Sequence, residues 1–197
     1  MIDTIFFDWG GVLAADPGDN FLIQLLLDLG ATQEQADEVY TAHMRRFMKG
    51  ELTEADFWDE LRTHYNLTIN DSISEEFMKW NGLVVDQNVL QVARDAQAAG
   101  IKVAIFSNVI EPTYNALAKA GCYDGFDAVI ASCKVGYAKP ELDIYQLALR
   151  ELNTAPERSL FIDDKQKNLD PAVELGFATV LAQNSEQIVS DIRSYLA

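Results

Sequence analysis

The chain has 197 residues, 49% of them hydrophobic and 23% charged, the balance of an ordinary globular protein with one core and room for a small insertion. Its formal net charge of -16 excludes a nucleic-acid partner, whose phosphates demand clustered Lys and Arg. The same charge repels small anions at long range, so any phosphate site must be local and built from specific cations. No apolar run approaches the roughly 20 residues needed to span a bilayer. The N-terminus enters a short apolar run directly, without the basic start and apolar stretch of a signal peptide, so a cytoplasmic location and no membrane partner are expected. Cys122 and Cys133 have no metal-ligand spacing and are expected to be buried, reduced thiols.

Taken in chain order, residues 4–7 (Thr-Ile-Phe-Phe) read as a strand ending at Asp8, with a Gly-Gly turn close behind. From about Asp16 to Val85 the pattern is helical, with amphipathic segments at Phe21–Leu29, Gln33–Met48, Glu54–Tyr65 and Ser74–Gly82. Thr53 ahead of Glu54 and Asp56 marks one helix start, and Ser72 or Ser74 the next. Beyond it, the runs Ile101–Phe106, Ala128–Ala131, Leu160–Ile162 and Thr179–Leu181 alternate with helix-period segments at 88–99, 113–120, 142–152, 168–175 and 186–196. Continuous apolar runs alternating with helices predict an α/β fold, a five-stranded parallel sheet covered on both faces. The expected division is a core of residues 1–15 and 86–197 interrupted by a small all-helical cap at 16–85.

Ligands of open parallel sheets bind beyond the carboxyl ends of the strands, so the residues that follow each run carry the information. Asp8 follows the first, Ser107-Asn108 the second and Asp163-Asp164 the fourth, with Lys139-Pro140 between the third and fourth. Several carboxylates in one place repel one another unless a hard cation neutralises them, and all-oxygen ligands suit Mg²⁺. A carboxylate can attack phosphorus to give an aspartyl-phosphate, which makes Asp8 the candidate nucleophile. Ser107, Asn108 and Lys139 would supply a hydroxyl, an amide and a fixed charge to the phosphoryl oxygens. Lys139 is also expected to lower the Asp8 pKa and keep it ionised. Singly each is ordinary turn or cap chemistry, and the Asp163-Asp164 pair read alone is a solvated cap for the helix from Asn168. Their order, each at a strand end, is what points to a site.

With FFDWGGVL at 6–13, FSN at 106–108, KP at 139–140 and FIDDKQKN at 161–168, the sequence resembles the haloacid dehalogenase superfamily over nearly its whole length. SCKVGYAKPELDIYQLAL at 132–149 is similar to the subfamily with a small helical cap, and MKGELTEADFW at 48–58 resembles the N-terminal phosphatase domain of soluble epoxide hydrolases. The resemblance implies a Rossmann-like core and Asp8 as nucleophile and metal ligand. It also implies that the Gly10 carbonyl and Asp164 bind Mg²⁺ directly and Asp163 through water. Ser107, Asn108 and Lys139 would then hold the phosphoryl group of a small phosphorylated metabolite, with the insertion a mobile cap that selects it.

One position departs from the pattern. Phosphatases of this superfamily usually carry a second Asp two residues after the nucleophile as general acid and base, and here that residue is Gly10. Losing such a group typically costs about 10² to 10⁴ in rate. A substrate with a good leaving group, such as a sugar 1-phosphate or acyl phosphate, would tolerate the loss, or Asp16 or a cap residue would supply the proton. A metal-independent 2-haloacid dehalogenase is the enzymatic alternative, but those relatives carry Ser and Asn where this chain has Asp163-Asp164. A catalytically degenerate phospho-ligand-binding protein is the other. In the cap, His43, Arg45, Arg46 and Lys49 are expected on a solvated helix face, with His43 or Arg46 the candidate anion contacts. Trp58 and Trp80 read as packing residues, while Trp9 either walls the site or packs under the cap.

Overall fold

In the computed structural model of the protein, the described residues are 1–15, 20–67, 72–81 and 84–196, and Asp16 and the Trp80 side chain lie outside them. Five strands, β1 (Thr4–Phe7), β2 (Lys102–Ser107), β3 (Ala128–Ala131), β4 (Ser159–Asp163) and β5 (Ala178–Leu181), form one parallel sheet in the order β3-β2-β1-β4-β5. Every strand is followed by a crossover helix or the chain's last helix, the arrangement expected from alternating apolar runs and helical segments.

The continuous apolar strands resolve into two faces because side chains alternate along a strand. Ile5 and Phe7, Val103 and Ile105, and Leu160 and Ile162 point into one core; Phe6, Ala104, Phe106 and Phe161 point into the other. The first face is covered by α5 (Gln87–Ala98), through Val89, Val92 and Ala93, and by α10 (Ser185–Leu196), through Ile188 and Ile192; the cap side continues the same core. The second face is covered by α8 (Leu142–Glu151) and α9 (Gln166–Leu175), through Ile144, Tyr145, Ala148, Leu169 and Ala172. Leu117 of α6 (Glu111–Lys119) joins the first core.

Between β1 and α5 lie four helices, α1 (Asn20–Asp28), α2 (Gln33–Met48), α3 (Glu54–Tyr65) and α4 (Ile73–Asn81). Thr32 caps α2 in a reciprocal arrangement with Gln35, and Thr53 caps α3 by accepting from the Asp56 amide. Ser72 accepts from the Glu75 amide, so of the two serines it is the one that opens α4. The cap is apolar inside: Val39, Phe47, Phe57 and Leu61 are fully buried, and Trp58 packs on Phe57. Two short elements were not expected from the sequence. These are a single helical turn, α7 (Ser132–Val135), closed by Gly136 in the left-handed conformation, and a 3₁₀ turn over Pro156–Arg158. Among the described residues no helix is long and apolar enough to cross a membrane.

Candidate active site

The parallel register decides what meets at the carboxyl edge. Phe7 pairs with Ile105 on one side and Ile162 on the other, so Asp8 emerges in the middle of the sheet between the end of β2 and Asp163 of β4. The Asp8 amide donates to the Ile162 carbonyl at 2.9 Å, extending the ladder by one residue and fixing the loop that follows at its root. Its carboxylate Oδ1 accepts from the Trp9 amide at 2.7 Å and the side chain also bonds Ser107.

Lys139 is brought in from the loop between α7 and α8, and its side chain is wholly buried. The ammonium donates to Asp163 Oδ2 at 2.6 Å and to the Phe106 carbonyl at 2.8 Å, and it lies 3.2 Å from Asp8 Oδ2. The rings of Phe106 and Phe161 flank it at 5.2 and 5.1 Å, so the cation sits in an apolar sleeve that aims it at the two carboxylates. Asn108 holds the backbone that carries it: the amide nitrogen donates to the Lys139 carbonyl and the amide oxygen accepts from the Lys139 N–H, both at 2.8 Å.

Asp163 has no exposure, so it is no solvated helix cap. Its Oδ1 accepts from the Lys165 amide at 2.8 Å and from Asn168 at 2.9 Å, and its Oδ2 takes Lys139 and a second Asn168 contact at 3.1 Å. Asp164 completes the cluster: ligand oxygens of Asp8, Asp163 and Asp164 all lie within 4.8 Å of one another. Gly11 makes that approach possible. Its φ is +73°, and a Cβ there would stand 2.7 Å from Asp164 Cγ, so any larger residue would push the carboxylate away.

The electrostatics correct one expectation. Burial pushes the Asp8 carboxyl up to about 7, against the pull of Lys139 and with a further push from Asp163, so Lys139 alone does not keep it ionised. Three carboxyl groups thus gather beside the one ammonium that contacts Asp8 and Asp163, so the cluster carries more acidic groups than that cation can pair. A clustered, all-oxygen, net-negative donor set is what a hard divalent cation fits.

The residues singled out around the strand ends converge here: Asp8, Gly10, Ser107, Asn108, Lys139, Asp163 and Asp164. Sequence reasoning missed Asn168, which bonds Asp163 and is backed by the Tyr145 hydroxyl on its carbonyl at 2.6 Å. It also missed that the Asn108 side chain is engaged with the Lys139 backbone. The cap cations face carboxylates. His43 and Arg46 lie 2.9 and 3.6 Å from Glu60 and do not line the cavity over Asp8, whereas Arg45 reaches Glu141 at 2.5 Å and does. Of the two roles considered for Trp9, it takes that of a wall: it lines the cavity, and its ring packs edge-on against Tyr123, a residue of the core and not of the cap.

The comparisons with known proteins agree with this geometry. A family model described as haloacid dehalogenase-like hydrolase matches residues 2–176. The chain is 24% identical to the sesquiterpene phosphatase astK of Aspergillus oryzae, over 95% of this chain and 93% of that protein. It is 30% identical to mouse bifunctional epoxide hydrolase 2 over 83% of this chain, but spans only 32% of that larger protein's length. Its fold matches that of a family enzyme from Bacteroides thetaiotaomicron, solved in complex with magnesium and inorganic phosphate, with a TM-score of 0.75 at 22% identity, covering 93% of this chain and 96% of that one. With its five-stranded parallel sheet and the acidic cluster on its carboxyl edge, the protein belongs to the haloacid dehalogenase-like hydrolases.

Proposed function

We propose that the protein is a magnesium-dependent phosphatase of small phosphorylated metabolites, working through a covalent phosphoryl group on Asp8. The observation that carries this reading is the retained acidic pair. Asp163 and Asp164 stand with Asp8 within 4.8 Å, which a metal-free attack on carbon would not need. A phosphatase among the similar proteins, and a fold neighbour solved with magnesium and phosphate, support it.

Asp8, Asp164 and the Gly10 carbonyl would hold the ion, with Asp163 acting through water, since both its oxygens are already engaged by Lys139, Asn168 and the Lys165 amide. When bound, the ion neutralises the phosphoryl oxygens and orients them for in-line attack. Asp8 Oδ2 forms a bond to phosphorus as the bond to the leaving oxygen breaks, and that oxygen leaves with the electron pair. Water then attacks phosphorus, the bond to Asp8 breaks, and inorganic phosphate departs with Asp8 restored. Lys139 and the Ser107 hydroxyl stabilise charge on the phosphoryl oxygens, while Asn168 and Asn108 keep Asp163 and Lys139 in place. No carboxylate side chain follows at position 10, which favours a leaving oxygen that is a weak base, as in an acyl phosphate or sugar 1-phosphate.

Phosphate release from a panel of phosphate esters, with and without Mg²⁺, tests the proposal. Metal-dependent release lost in Asp8→Asn supports it. Metal-independent release of halide from 2-haloacids, with no phosphate from any ester, overturns it in favour of a dehalogenase.

A further inference from the structure

The cavity over Asp8 has a floor and walls of opposite character. Its volume is about 500 Å³, well beyond what a phosphoryl group fills and within the range of small-molecule sites. Asp8, Ser107, Asn108 and Lys139 make the floor. Above them, Tyr40, Met44 and Met48 of α2 stand four residues apart and form one stripe. Val109, Ile110 and Leu117 face the cavity from the end of β2 and from α6, and Phe21, Leu22 and Phe77 close it from α1 and α4. Met44, Phe77, Val109, Ile110 and Leu117 are all less than a tenth exposed, so the cap and core bury these walls around the cavity. Among the described residues Asp8 is the sole carboxylate in the lining, whereas Arg45, Lys139, Lys165 and Lys167 all line it, in a chain of net charge -16.

From this, and resting on the phosphatase reading above, we infer that the substrate is an amphiphilic monophosphate: a phosphoryl head on Asp8 with a hydrocarbon body against the Met44, Met48, Phe77 and Leu117 walls. A sugar body matches this chamber less well: Thr41, Thr113 and Asn168 offer polar atoms in the lining, but against the Met44, Met48, Phe77 and Leu117 walls its hydroxyls would lose water without regaining hydrogen bonds. A hydrocarbon body loses nothing there and gains from leaving water, by up to about fourfold in affinity for each methylene that finds wall. The weak-base leaving oxygen favoured by Gly10 concerns only the bond being broken, so both preferences are met together in an acyl phosphate of a fatty chain.

Two series decide the inference. In the first, kcat/KM is measured with Mg²⁺ for acetyl, butyryl, hexanoyl and octanoyl phosphate, whose leaving groups hardly differ. The expected result is a rise of at least about tenfold from acetyl to octanoyl phosphate, with glucose 6-phosphate below all but the shortest. In the second, the Kd of n-alkylphosphonates is read by calorimetry on the Mg²⁺-loaded protein, independently of turnover, and tightens along the same lengths. Met44→Gln, at a buried position, and Met48→Gln, at a half-buried one, flatten both slopes. Acetyl phosphate turned over with a flat or falling length series, or slopes unchanged in both variants, overturns the inference and leaves the phosphatase standing. If nothing is turned over, the phosphatase reading falls, and the phosphonate series still decides the chamber: tightening supports the apolar body, and constant Kd rejects it.

Discussion

The sheet edge and the cap solve opposite problems with the same kind of backbone. At the carboxyl edge, Asp8, Ser107, Lys139, Asp163 and Asn168 are all less than a tenth exposed, and each is held by partners that are themselves buried. Among the described residues of the cap, the fully buried side chains are apolar, and charged ones pair near the surface, as Arg45 does with Glu141 and Arg46 with Glu60. Charge buried in a network has one geometry and is costly to disturb; charge paired at a surface is adjustable and cheap. On the function proposed above, the edge would run one chemistry and the cap would choose what undergoes it.

Removing Lys139 should break that contrast most severely. Lys139→Ala leaves three clustered carboxylates without their buried counter-charge, and about 3 to 5 kcal/mol of stability should be lost in metal-free denaturant unfolding. A loss below about 1 kcal/mol would mean the network is not the rigid unit described.

The acidity of Asp8 gives a second effect, smaller and dependent on pH. Because burial raises its folded-state pKa to about 7, the fold favours the protonated form in metal-free protein. That stabilisation is present in full below the unfolded value of about 3.9 and is lost as pH rises through about 7. Asn is neutral throughout, so Asp8→Asn should melt progressively higher than wild type as pH goes from about 5 to about 8, and Mg²⁺ should narrow the gap by stabilising wild type. Parallel melting curves at all pH values would refute the raised pKa.

The seam between the two regions is tested at Gly50. It has φ +69° and a Cβ there would lie 2.4 Å from the Cys133 carbonyl oxygen, so the α2 terminus and α7 touch backbone to backbone. Gly50→Ala should cost about 1 to 3 kcal/mol, measured by chemical denaturation, through strain and displacement of the cap end. The smallest effect belongs to Glu141→Gln, which removes the negative charge that Arg45 and Lys49 face across the mouth. Arg45 is 67% exposed, so the loss should stay under about 1 kcal/mol and shrink further in high salt. A stability loss as large as that of Lys139→Ala would erase the distinction between edge and cap.

How much of this was legible in the sequence follows the same division. The five strands could be read because doubly covered parallel strands must be apolar throughout, and the shared edge because Asp8, Ser107 and Asp163 each stand at the end of such a run. Thr53 as a cap was readable from local hydrogen-bond chemistry alone. The Asn108 clamp on the Lys139 backbone, and Asn168 under Asp163, were not, because each pairing joins segments that only the packed fold brings together. The direction of the Asp8 shift was misjudged for a related reason. A charge partner shows in a motif, but the depth of burial that outweighs it does not. The apolar chamber was hidden too, since helical periodicity does not say whether Met44 and Met48 face a core or a cavity.

The central claim is that Asp8 carries the phosphoryl group. The most direct test is to quench the enzyme during turnover of an acyl phosphate with Mg²⁺, reduce with borohydride and sequence the peptide spanning residues 2–15. An aspartyl-phosphate is reduced to homoserine, so homoserine at position 8 that depends on both substrate and metal is the predicted result. Turnover that persists in Asp8→Asn, with aspartate intact at position 8 in wild type, would contradict it.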